Sequence, residues 1–183
     1  MNKKNKKGFT LVELLVSIFI IALLLALALI NYRGAKQKLA LERAASKLAQ
    51  DIRRVQGMAL GSEEVWVQGQ QQPVNGYGIY FPAGGQGTEY TLFADINNPD
   101  NPDNKNKYDE EDDTEIETIS LEEGIKIKNT SPSNLSVVFV PPDPDVYIEP
   151  GNRTSAEIII CLEKDKNQIK TIKVNRAGLI EVE

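Results

Sequence analysis

The sequence has no histidine and one cysteine, Cys161. The first absence removes the commonest general base and the commonest metal ligand, which excludes Ser-His-Asp triads, His-ligated zinc and imidazole acid/base chemistry. The second excludes an intramolecular disulfide, so a domain exported from the cytoplasm has to stand on its core alone. No Gly-x-Ser-x-Gly nucleophile elbow occurs either, and a membrane-anchored hydrolase lacks its machinery. Cys161 itself sits inside the apolar run Ile158–Leu162 and reads as an inert core residue rather than a nucleophile. The enzyme classes that remain have no motif to support them.

The 183 residues suffice for one domain of ordinary size with an appendage. Apolar residues are unevenly spread. Leu14 to Ile30 contains no charge and has Ser17 as its one polar residue, and Lys3, Lys4, Lys6 and Lys7 precede it. The apolar stretch from Leu11 to Ile30 is about 20 residues, or about 30 Å as a helix, which matches a bilayer core. The basic start orients the N-terminus toward the cytoplasm and the rest of the chain outside. Without the four lysines of the first eight residues the formal charge goes from −5 to −9. So acidic a body argues against sequence-independent nucleic-acid binding.

A basic start and an apolar core also begin a secretory signal, for which Ala26-Leu27-Ala28 would serve as a small-residue cleavage site. Glu13 stands against that reading. An acid gains nothing inside a signal core, whereas helices that later pack side by side can use one to neutralise a neighbour's positive charge. The plain alternative is that Glu13, one turn from the basic end, reaches out to the interface.

The stretch KGFTLVELLVSIFIIALLLAL resembles the class III signal of type IV pilins and of the pseudopilins of type II secretion. It has a short basic leader ending in Gly8, then a phenylalanine, a glutamate and a long apolar helix. The resemblance implies a membrane peptidase that cuts after Gly8 on the cytoplasmic face and methylates the new N-terminal amine of Phe9. It also implies that Glu13 is the counter-ion for the Phe9 amine of the next subunit in a filament, a buried charge pair better suited to fixing register than to adding stability. The implied partners are other pilins or pseudopilins, prepilin peptidase and an assembly platform in the bacterial inner membrane. Many major subunits carry a proline where this chain has Ile30, so its absence leans toward a minor subunit.

Past Asn31-Tyr32-Arg33-Gly34 the pattern stays helical. Leu41, Ala45, Leu48, Ile52, Val55 and Ala59 recur at steps of four and three, with Arg43, Lys47, Asp51, Arg53 and Arg54 on other faces. The stripe suits packing on the protein's own sheet better than a coiled-coil seam or a cofactor groove. Joined to the apolar run, it makes a helix of about 50 residues that ends near Gly61. From Val65 the reading is β, with runs at 77–81, 89–95, 116–121, 125–129, 135–140, 146–148, 157–163 and 169–175 separated by turn residues. No helix-length segment intervenes, so antiparallel pairing is expected.

The fold class is therefore α+β: a long N-terminal helix packed through its C-terminal half on an antiparallel β-sandwich or rolled sheet. The expected divisions are a leader at 1–8, a transmembrane and assembly helix at 9–30, its amphipathic continuation at 31–61 and an extracytoplasmic β-rich domain at 62–183. LAQDIRRVQGMAL, GYGIYF, VVFVPPDPDVYI and IKVNRAGLIEVE resemble the H-type minor pseudopilins, GspH and the related FimT-like minor pilins.

Between Asn97 and Glu123 the chain holds 11 acids against Lys105 and Lys107. Asp95, Asn97, Asp100, Asp103 and Asp109 are short oxygen ligands in a Pro/Asn-rich loop, the right chemistry for Ca²⁺. The EF-hand spacing is not met, because its glycine is missing and Pro99 stands at a ligand position. A solvated acidic loop is the simpler expectation. Trp66 and the tyrosines of GYGIY are expected in core or loop packing rather than in a ligand surface.

Overall fold

The computed structural model describes residues 8–61, 65–67, 70–72, 74–82, 87–96, 106–141 and 145–183; at 28–33, 65–67 and 70–72 it describes the backbone alone. Helix α1 runs Leu11–Leu60. Among the described residues eleven strands follow: β1 Val65–Val67, β2 Gln70–Gln72, β3 Val74–Tyr80, β4 Glu89–Ile96, β5 Thr114–Ser120, β6 Ile125–Ser131, β7 Ser136–Val140, β8 Asp145–Glu149, β9 Ser155–Leu162, β10 Ile169–Asn175 and β11 Ile180–Val182. The architecture is the expected α+β, and every described pairing is antiparallel. The chain forms two compact units, Met1–Leu39 and Ala40–Glu183.

In the second unit β1 and β2 form a small hairpin, and the other strands form two sheets, ordered β5-β4-β3-β7-β8 and β11-β10-β9-β6. The chain changes sheet between β5 and β6, between β6 and β7, and between β8 and β9. At the first of these, Gly124 turns at φ +82, a left-handed conformation that a side chain would strain. The eight runs read from the sequence all contain strands; β1, β2 and β11 are additions, the last just beyond the Arg176-Ala177-Gly178 turn.

The stripe on α1 is the centre of the core. Leu41, Ala44, Ala45, Leu48, Ala49, Ile52, Val55 and Ala59 are buried and belong to one apolar cluster with Tyr77, Leu92, Val137 and Phe139 of one sheet and Ile127, Ile158, Ile160 and Ile172 of the other. Strand alternation supplies those partners: on β9 Ala156, Ile158 and Ile160 point inward while Glu157 stays exposed. Polar bonds fix the helix register at the flanks. Tyr90 Oη donates to Asp51 Oδ2 at 2.6 Å, Gln56 Nε2 to the Gly178 carbonyl and Arg53 Nη2 to the Ile180 carbonyl. Burial, then the bond to Asp51, pushes the Tyr90 hydroxyl well above its ordinary range.

The five-stranded sheet is buried on its far face as well. Phe93, Gly78 and Val138 form a row across β4, β3 and β7, and Phe93 and Val138 are fully buried although they lie outside the main cluster. A Cβ on Gly78 would stand 2.3 Å from Phe93 Cζ, so the glycine is required for the ring to lie across the strand. The first half of GYGIY thus serves packing. Gly78→Ala is expected to destabilise the protein by about 1–3 kcal/mol in urea denaturation, and adding Phe93→Leu to recover part of the loss. An unchanged midpoint for the single variant would contradict this packing.

Candidate processing and assembly site

Gly8, Phe9 and Thr10 precede the helix, which begins at Leu11. The helix starts there because Thr10 caps it. Its Oγ1 accepts the backbone N–H of Glu13 at 3.3 Å, and its carbonyl accepts that of Leu14 at 3.2 Å. Thr10 is thus the N-cap and Glu13 the third helical residue, with the carboxylate in the first turn, where the helix dipole favours it. Ser17, the one polar side chain of the apolar run, donates to the Glu13 carbonyl at 2.7 Å and needs no outside partner. Reading the sequence for charge and hydropathy misses Thr10, although a threonine three residues before a glutamate and ahead of an apolar run is a recognisable start signal.

The three expected residues therefore lie together at one helix start. Gly8 is exposed, with open space around its α-carbon. Phe9 is 74% exposed, and the large apolar side chains from Leu11 to Leu27 are exposed on every side of the helix, from 49% at Val16 to 78% at Leu11. A surface helix buries an apolar stripe and shows water a polar face. This segment has no polar face beyond Glu13 and Ser17, and its own unit buries none of it. Among the described residues no helix is long and apolar enough to cross a membrane; the described side chains of the apolar run stop at Leu27.

An exposed Gly-Phe junction ahead of a capped apolar helix with one early acid is a type IV pilin or pseudopilin-like prepilin signal. Residues 3–29 match the family model described as the Prokaryotic N-terminal methylation motif. The motif supports a processed subunit of the type IV pilin or pseudopilin type, and it implies assembly with other pilins and processing by prepilin peptidase. No curated protein and no solved structure matches the chain.

The residues expected to hold Ca²⁺ fall differently. Asn97, Asp100 and Asp103 lie outside the described residues. Asp95, 1% exposed, accepts Asn75 Nδ2 at 2.8 Å and the Asn106 N–H at 2.9 Å on its Oδ2, and Asp109 Oδ1 accepts the Glu111 N–H. Both serve the stem of the acidic loop. Among the described residues no group of three or more Cys, Asp or Glu is placed to hold a metal. The stem is fastened further by Tyr108, whose ring stacks on Tyr80 at 4.4 Å and meets Phe93 edge-on at 5.0 Å, and by Asp113, which accepts the N–H groups of Ile96 and Asp109.

Burial pushes the Asp113 carboxyl up to about 7; its two backbone hydrogen bonds oppose the shift, and the nearby charges of Asp95 and Asp109 add to it. The folded value lies above the unfolded one, near 3.9, so the folded state holds the proton more tightly between those values. Stability from this group is greatest in acid and falls as pH rises from about 4 to 7. Thermal melts across that range are expected to show this slope, and Asp113→Asn to flatten it. Ca²⁺ binding by Asp95, Asn97, Asp100, Asp103 and Asp109 is a separate proposal: it requires the melting temperature to rise with added calcium and fall back with EDTA, and identical melts would dispose of it.

Proposed function

We propose that the chain is a minor pseudopilin or pilin of the H type, cut after Gly8, N-methylated on Phe9 and assembled through its hydrophobic helix into a filament. The observation that carries this reading is the apolar surface exposed on all sides of α1 from Leu11 to Leu27. Before assembly a bilayer solvates that surface, with Leu11 to Ile30 anchoring the chain in the bacterial inner membrane and the β domain outside. In the filament, the helices of other subunits take the place of lipid, and contacts repeat head to tail without closing. Glu13 then stands opposite the Phe9 amine of a neighbour.

The β domain gives this reading indirect support, because its sheet edges discourage strand-to-strand association. Edge strand β5 carries Glu115 and Glu117, and β6 carries Lys126 and Lys128 with a register shift between Ile127 and Asn129. β8 has five residues and runs into Pro150, and β11 has three. The exposed apolar helix is the surface this reading assigns to assembly.

Mass spectrometry of the membrane fraction from a host with the cognate peptidase tests the processing step. The expected N-terminus is N-methylated Phe9; a soluble chain beginning at Leu29 would show a conventional signal peptide cut after Ala28 and leave a secreted β-domain binding module instead. Glu13→Gln is expected to be cleaved normally and to be lost from sheared filaments by at least about tenfold. Normal incorporation of that variant would remove Glu13 from the assembly contact.

A further inference from the structure

On the outer side of the five-stranded sheet a groove of about 240 Å³ opens between the stem of the acidic loop and the end of β8. Tyr80 and Tyr108, stacked on each other, line it together with Asn134 and Ser136. These side chains are already held. Tyr80 Oη donates to Asn134 Oδ1 at 2.7 Å, Tyr108 Oη donates to Glu115 Oε1 at 2.8 Å, and Ser136 Oγ accepts the Tyr108 N–H at 3.0 Å. A lining fixed before a ligand arrives loses little freedom on binding.

Two charges of opposite sign also line the groove, Lys107 from the stem and Glu149 from β8. Neither forms a salt bridge among the described residues; Glu149 Oε2 accepts the Gly151 N–H. Opposite charges lining one small groove favour a ligand that carries both. A simple anion drawn to Lys107 would be opposed by Glu149, and a simple cation the reverse, whereas a zwitterion gains from both. The volume suits one amino acid, and the tyrosine rings offer an apolar wall for its side chain.

We propose that this groove binds a zwitterionic α-amino acid, with its carboxylate on Lys107 Nζ, its ammonium on Glu149 Oε1 and its side chain against Tyr80 and Tyr108. The site is independent of the filament contact and needs no assembly to be tested. The full chain in detergent micelles is titrated with L-phenylalanine, followed by saturation-transfer NMR and calorimetry. Saturable binding is expected, weakened at least about tenfold by Lys107→Met and by Glu149→Gln and unchanged by Lys164→Met on the exposed β9–β10 turn.

Ligands that each lack one charge test the same point on the unaltered protein, so the result does not rest on the variants' stability. N-acetyl-L-phenylalanine and L-phenylalaninamide are both expected to bind at least about tenfold more weakly. No saturable binding of L-phenylalanine overturns the proposal. So does equal binding of either single-charge ligand, which would make the groove a plain anion or cation site, or tighter binding of D-glucuronate, which would make it a sugar-acid site.

Discussion

Burial of one stripe of α1 against both sheets is the interaction on which the folded β domain depends. The chain has no disulfide to fall back on, so the apolar cluster must hold two sheets and a helix together. Each fully buried Leu, Ile or Val is worth about 1.5–3 kcal/mol relative to exposure, and Leu48, Ile52 and Val55 are all fully buried. The alanines between them let the sheets approach closely. The polar bonds of Tyr90 with Asp51 and of Gln56 and Arg53 with the β10–β11 segment add register to this contact. They lie beside the stripe, where a helix slipped by one turn would leave Tyr90 buried without its acceptor.

The two sheets use their other faces differently. The four-stranded sheet shows water a charged ladder, in which Lys173 meets Glu183 at 2.8 Å and Glu157 at 3.9 Å. The bond to Glu183 leads the causes that raise the Lys173 pKa. Exposed pairs of this kind contribute little to stability. The five-stranded sheet is covered instead by the stem of the acidic loop. Tyr108 reaches Phe93, while Asp95 takes two N–H donors from Asn75 and Asn106, so the buried carboxylate is solvated by the protein itself. The close approach at Gly78 and the polar ties beneath the loop make one layered contact out of residues from β3, β4, β7 and the stem.

The first unit follows the opposite logic. Its helix keeps its backbone bonds to itself, is capped by Thr10 and has Ser17, the one hydroxyl between Leu11 and Ile30, turned back onto the backbone. Apart from Glu13, the apolar stretch from Leu11 to Leu27 leaves no polar group for a hydrocarbon environment to penalise. The one exception sits in the first turn, where the dipole lowers its cost.

Local chemistry explains why so much could be read from the sequence. The prepilin-type start depends on contiguous residues, Gly8 through Ile30, and the Thr10 cap spans three positions. The helix stripe from Leu41 to Ala59 repeats with the helical period, and the strands alternate or run apolar between Gly, Pro and Asn turns. Such signals act over a few residues and survive in one dimension. The sheet order could not be read in this way, because three changes of sheet depend on long-range packing of apolar faces against α1, which no local pattern specifies. Nor could the fit of Phe93 over Gly78, the seating of Tyr108 on Tyr80, or the placing of Lys107 and Glu149 on one groove, since each joins residues distant in the chain through packing. The sequence by itself determined the prepilin-type start, the long helix and most of the strands; the tertiary structure alone decided what the acids flanking the loop do, because burial and proximity turned Asp95 and Asp113 from solvated charges into ties of the fold.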